Sequence, residues 1–204
     1  HSLVLDLGVK NLAVRIPLAD FANIENYYTF IESFTDQDML VVILQDREHI
    51  NDSKLLRQRL DHIFERLNGI ASPFQIGNAV NRKKWAFASQ DEYFDFFKSA
   101  QDIKNKKFPS IKLLGSNIID FDLPFLTRSL FHCKRIHYDG VASQLYVDRR
   151  GAPENKQLGF DTLGKINIYH HLTSMSHKSD NQLYITEVNW PLKSMGEWAP
   201  AQGD

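Results

Sequence analysis

Two apolar rhythms alternate along the chain. Short, nearly continuous apolar runs lie at residues 12–17, 39–44, 74–80, 111–121, 140–146 and 183–187. Runs of that length, apolar on both faces, are what buried parallel strands require. Between them the apolar positions recur at helical spacing. Ile24, Tyr27, Tyr28, Ile31 and Phe34 share one face of residues 23–34. Leu55, Leu56, Leu60, Ile63, Phe64 and Leu67 mark a second helix, capped by Asp52 or Ser53 and stopped at Gly69. Ser89 with Glu92 three residues on is a capping-box pattern, and Tyr93, Phe96, Phe97 and Ala100 follow on one face. Residues 123–133 and 161–175 predict two more helices. Residues 2–9 read as the last turn of a helix closed by Gly8, and a long polar loop runs over 147–160.

Strand therefore follows helix throughout, with no low-complexity linker. That order predicts one α/β domain over residues 1–204, built on a parallel sheet with right-handed crossovers. Two architectures fit: a doubly wound open sheet and a (β/α)8 TIM-type barrel. A nucleotide-binding doubly wound sheet calls for a glycine-rich turn after its first strand, and Gly8 stands alone, so no nucleotide cofactor is expected. Polar residues gather instead after strand upon strand: Arg15, Asp46-Arg47, Asn78, Asn81-Arg82, Asp120, Tyr146, Asp148 and Glu187. In a barrel all strand exits open on one face, where active sites form. The distribution predicts the barrel.

Composition narrows the partners. Formal net charge is -1, with 24 Lys and Arg against 25 Asp and Glu, so nucleic acid and anionic membrane surfaces are not expected partners. The dense Lys104, Lys106 and Lys107 cluster precedes Pro109, and a solvated helix end is expected there. No run approaches the ~20 apolar residues of a membrane-spanning helix. The lone Cys133 excludes an internal disulfide and is expected to pack in the core. His170 and His171 are adjacent on a helix and point apart, so no metal is expected there.

The segment 183–191, Leu-Tyr-Ile-Thr-Glu-Val-Asn-Trp-Pro, places a carboxylate at the end of an apolar strand with Trp190 close behind. Such a carboxylate needs a partner or a task. Together with Val14-Arg15-Ile16-Pro17, Ile76-Gly77-Asn78 and Gln144-Leu145-Tyr146, this segment resembles the retaining glycoside hydrolases built on (β/α)8 barrels, including cellulases, mannanases and xylosidases. The resemblance implies a nucleophile at Glu187 on strand seven, an Arg15 contact to it from strand two, Asn78 on strand four and Tyr146 after strand six. It covers most of the chain through short motifs in shared order.

Three departures stand out. Ala79 occupies the position after Asn78 where the family has its acid/base Glu, Gln144 stands where the family has His, and only six strands are legible where a closed barrel has eight. The stretch is then an excerpt, a processed chain or an incomplete barrel. Double-displacement chemistry needs two carboxyl groups about 5–5.5 Å apart, and inverting chemistry about 6.5–9.5 Å. The missing proton donor leaves four readings: an engineered Ala79, a relocated acid among Asp46, Asp120, Asp148 and Glu154, a leaving group that needs no acid, or binding without cleavage. The expected function is glycoside hydrolysis with a carbohydrate ligand and no cofactor; the alternatives are an inactive barrel that binds carbohydrate or scaffolds a partner, and a barrel enzyme that takes a phosphorylated or acidic small molecule through Arg82, Arg149 and Arg150. Candidate binding residues are Arg15, Asp46, Asn78, Asn81, Arg82, Trp85, Tyr146, Asp148, Arg149 and Trp190. Each has a structural alternative: a cap for the Asn, core packing for the Trp, a surface salt bridge for Asp148, Arg149 and Arg150.

Overall fold

The computed structural model describes residues 2–146 and 154–188. Six strands, β1 (Asn11–Pro17), β2 (Asp38–Leu44), β3 (Phe74–Ile76), β4 (Leu113–Ile119), β5 (Gly140–Gln144) and β6 (Leu183–Glu187), form one sheet in chain order. All five neighbouring pairs are parallel. Helices occupy the crossovers: α1 (Ser2–Asp6) precedes β1, and α2 (Ile24–Glu32), α3 (Arg47–Asn51), α4 (Ser53–Leu67), α5 (Gln90–Lys107), α6 (Leu123–Leu130) and α7 (Thr162–Met175) follow in turn.

Consecutive strand order without reversal is the winding of a barrel, since a doubly wound sheet reverses at a switch point. The sheet is also curled. Strands spaced at about 4.8 Å would put β1 and β6 roughly 24 Å apart if flat. Arg15 of β1 nevertheless reaches Glu187 of β6 at 2.5 Å. Among the described residues β6 does not pair with β1, so the fold is an α/β parallel barrel left incomplete.

Local chemistry explains the elements. Asp52 accepts from Lys54 N and Leu55 N to start α4, Asp161 accepts from Gly164 N to start α7, and Asp122 accepts from Phe125 N to start α6. Ser89 accepts from Glu92 N, but the Glu92 carboxylate takes Ala88 N and Arg47 rather than closing the box on Ser89 N. Period-two alternation then sorts the strands into two faces. Ile16, Val41, Ile43, Phe74, Ile76, Leu113 and Val141 join the helices in one core. The register partners Arg15, Val42, Gln75 and Leu114 form the other row, inside the curl. Tyr184 crosses that inner face: a Cβ on Gly140 would sit 2.7 Å from its ring.

Several expectations change. The third strand ends at Ile76 instead of running to Val80, because Gly77 (φ 87°) and Ala79 (φ 48°) take left-handed backbone that breaks the ladder. An unforeseen short helix, α3, is capped by Asp46. Cys133 is exposed, not core, because α6 ends at Leu130 and the chain turns out to solvent. Lys104 is not a solvated helix end. It donates to both Asp139 oxygens at 2.6 Å with only 14% of its side chain exposed, tying α5 to the entry of β5.

Behind α5, the His132 ring packs on Phe94 at 4.5 Å. Burial, with Lys178 and Lys134 nearby, lowers its pKa to about 4. The unfolded imidazole takes up a proton near the usual 6.5 and the folded one resists, so stability is lost as pH falls from 6.5 towards 4. Thermal melts across that range are expected to show a smaller loss in His132→Phe than in the parent. Equal slopes would count against this linkage.

Candidate active site

The strand exits carry a belt of polar side chains. At one end, Glu187 closes β6. Its Oε2 accepts from Arg15 Nη2 at 2.5 Å, and its Oε1 accepts from the Tyr146 hydroxyl just beyond β5. Glu187 is also the register partner of Gln144, and its carbonyl accepts from Leu145 N. Three strands thus fix one carboxylate. Its side chain is 31% exposed, so the group is reachable from solvent.

The belt continues inward through amides. Gln144 Nε2 donates to Asn78 Oδ1 at 2.5 Å, reaching from β5 across to the β3 exit. Gln75 Nε2 donates to Gly77 O and, at 3.5 Å, to the same Asn78 oxygen. Gln45, after β2, accepts from Asn78 N and donates to the carbonyls of Asn78 and Trp85. Gln45, Gln75, Asn78 and Gln144 are all buried. Buried amides need partners, and the bonds shared through Asn78 fix these groups' positions, while Gln75 Oε1 is buried without a partner among the described residues.

A second group lies at the β3 and β4 exits. Arg82 pairs with Asp120, and Asp120 itself adopts φ 62°. The Tyr169 hydroxyl bridges this bend, donating to Asp120 O and accepting from Asp122 N. Asn81 accepts from Ile119 N and donates to Ile119 O and Asp122 Oδ2, so its amide is fully used as a latch between the two exits. Removing those bonds leaves the part-buried backbone N–H and carbonyl of Ile119 without these partners. Asn81→Ala is therefore expected to cost about 2 kcal/mol, read as a fall in the denaturant midpoint at unchanged slope. An unchanged midpoint would remove the latch role.

Among the sequence-selected residues, Arg15, Tyr146 and Glu187 meet directly, and Asn78 joins them through Gln144. Asp46 is occupied as the α3 cap, accepting from His49 N and engaging His49 Nδ1. With Glu48 these two bring metal-ligand atoms within 4.8 Å of one another, yet the cap already joins Asp46 to His49. Trp85 is about one-third exposed in the 3-10 turn Lys83–Trp85. Ala79 is fully buried. Asp148, Arg149, Arg150 and Trp190 lie outside the described residues. Sequence reasoning missed the amides Gln45 and Gln75. Their only signal was a polar residue inside or at the end of an apolar strand.

No protein-family model and no curated protein matches the sequence. Among solved structures the chain is similar to the GH39 enzyme from Xanthomonas axonopodis pv. citri, with 19% identity and a TM-score of 0.47. The similarity covers 68% of this chain and 30% of the length of that one. Among the described residues no helix is long and apolar enough to cross a membrane.

Proposed function

We propose that the chain, read as one domain, carries a glycoside-directed site in which Glu187 is the nucleophile. The observation that carries this reading is the Glu187 carboxylate held at a barrel exit by Arg15 from one side and Tyr146 from the other. A nucleophile that must form a covalent glycosyl ester has to be exposed, oriented and kept from rotating, and these two donors do the last two. The strand count supports the assignment. With β1 taken as strand two of a barrel, consecutive order makes β3 strand four and β6 strand seven. Trp85 would offer a ring face to a sugar, with Arg82 at the start of the same turn beside it.

A second reading, carbohydrate binding without cleavage, is favoured by one observation. Ala79, at the position where the resemblance implies the acid/base, carries only a methyl group, and that methyl is fully buried.

The test is covalent labelling with a panel of 2-deoxy-2-fluoro-glycosyl fluorides of differing sugar configuration. Fluoride departs unprotonated, so labelling does not require an acid. The expected result is one added glycosyl mass on the intact chain, mapped to Glu187. Saturable sugar binding with no adduct across the panel would favour the second reading.

A further inference from the structure

We propose that Arg82 is a carboxylate-binding residue and that the Glu187 site therefore takes an acidic saccharide, one that carries a uronic acid unit. This rests on the glycoside-directed reading above and names its substrate class.

Arg82 and Glu187 belong to one belt. Asp120 N donates to Gln144 O at 2.9 Å, and Gln144 is the register partner of Glu187. Asp120 therefore stands level with Glu187 and two strands away, roughly 10 Å between backbones. Among the described residues, Arg82 makes one side-chain bond, from Nη2 to Asp120. The Arg82 side chain is 38% exposed and that of Asp120 only 14%. The carboxylate is the covered partner, and the guanidinium faces solvent at the strand exits. A guanidinium carries five N–H donors in a planar fork. With Nη2 on Asp120, the remaining donors are left to an incoming acceptor, and a carboxylate matches the fork.

The ion pair is not needed to join the two exits. Asn81 already ties them through Ile119 and Asp122, and Tyr169 braces the bend between Asp120 and Asp122. A pair whose cation is this exposed adds little stability. What the pairing does is hold a long, flexible side chain in one place, which lowers the entropy lost when a ligand binds it.

The surroundings favour an anion. Lys83 and Lys84 follow Arg82 in the 3-10 turn, both exposed, and among the described residues neither makes an ion pair. Nearby carboxylates are already engaged: Asp122 by Phe125 N and Asn81 Nδ2, Glu92 by Arg47 and Ala88 N. The turn itself is pinned from the β2 exit. Gln45 Nε2 donates to Trp85 O at 2.6 Å, and Arg47 Nη1 to Ala86 O at 3.0 Å. An oriented guanidinium, two further cations and a partly exposed indole are thus presented together, in a chain whose net charge is only -1.

The experiment titrates the full chain, by calorimetry, with the methyl glycosides of glucuronic, galacturonic and mannuronic acid. Each is run beside its 6-methyl ester and its parent hexoside, so that acid and ester differ in charge. At least one acid is expected to bind about tenfold or more tighter than its ester, the scale of a charge-assisted hydrogen bond. High salt is expected to shrink that margin. In the double variant Arg82→Gln with Asp120→Asn, two neutral amides keep the pair, and the margin is expected to fall to about twofold or less. Arg82→Lys leaves a cation beside Asp120 but removes the fork, and it reads the same loss should the double variant not fold. Equal binding of acid and ester by the parent chain would overturn the proposal. So would a margin unchanged in the variants, which would put the anion elsewhere. A 6-sulfated hexoside bound as tightly as the acid would overturn the assignment to a carboxylate. Labelling of Glu187 by a neutral fluoro-sugar, with no acid preferred over its ester, would sink this inference alone. No binding and no adduct across both panels would defeat the glycoside-directed reading, and this inference with it.

Discussion

Glu187→Gln is expected to abolish fluoro-sugar labelling and to lower aryl-glycoside cleavage by about 10⁴-fold or more, the scale on which covalent nucleophiles are lost. Gln keeps the shape: its amide oxygen can accept from Arg15 while its Nε2 donates to the Tyr146 hydroxyl oxygen, so the barrel exit remains filled. The Arg15–Glu187 pair is half-exposed on the arginine side, at 52%. Exposed pairs contribute about 0–1 kcal/mol, so the variant is expected to melt within roughly 4 °C of the parent. That combination, inactive but folded, separates a nucleophile from a structural carboxylate. Labelling that persists in Glu187→Gln would move the nucleophile elsewhere. A collapse of the melting temperature would make Glu187 a part of the scaffold. Sugar binding measured by calorimetry is expected to survive the substitution, since Trp85 and Arg82 are untouched.

Gly115→Ala is expected to destabilise the fold by about 3 kcal/mol or more, the upper range for overpacking a tight core. A Cβ at Gly115 would lie 1.8 Å from Tyr138 Cδ1 and 2.1 Å from Cε1. Those atoms belong to a fully buried ring that also meets Phe97 edge-on at 4.7 Å. Burial pushes the Tyr138 hydroxyl well above its usual range, so the ring stays neutral in its buried site. For a chain of this size the loss corresponds to roughly 6–12 °C in melting temperature. Shrinking the opposing ring should undo part of it. The double variant Gly115→Ala with Tyr138→Leu is expected to recover stability relative to the sum of the two single changes. Strict additivity would show that Tyr138 is not what Gly115 accommodates.

The two glycine positions that matter most to the inner and outer faces, Gly140 and Gly115, were invisible to pattern reading. A glycine in an apolar strand signals close approach by something. Which ring approaches depends on residues 23 and 44 positions away in the chain, Tyr138 and Tyr184, once the sheet has curled. The same limit applies to β3. Residues 74–80 carry strand-type hydrophobicity, but the left-handed backbone at Gly77 and Ala79 is fixed by the buried contacts of Gln45 and Asn117 with this loop. Lys104 looked solvated because sequence cannot show that Asp139 lies opposite it.

What the sequence determined by itself is the alternation of strand and helix, the caps at Asp52 and Ser89, and the parallel winding. These depend on spacing within a few residues, which local chemistry encodes. It also singled out Arg15, Asn78, Tyr146 and Glu187, each a polar group at the end of an apolar run. Only the tertiary structure decided that Arg15 and Tyr146 grip the same carboxylate, and that Gln45, Gln75 and Gln144 lock Asn78. Arg15 and Glu187 are 172 residues apart, and their meeting is a consequence of how far a six-stranded sheet curls. Curl accumulates from the twist of every strand pair, so it is a property of the whole sheet and of no single segment.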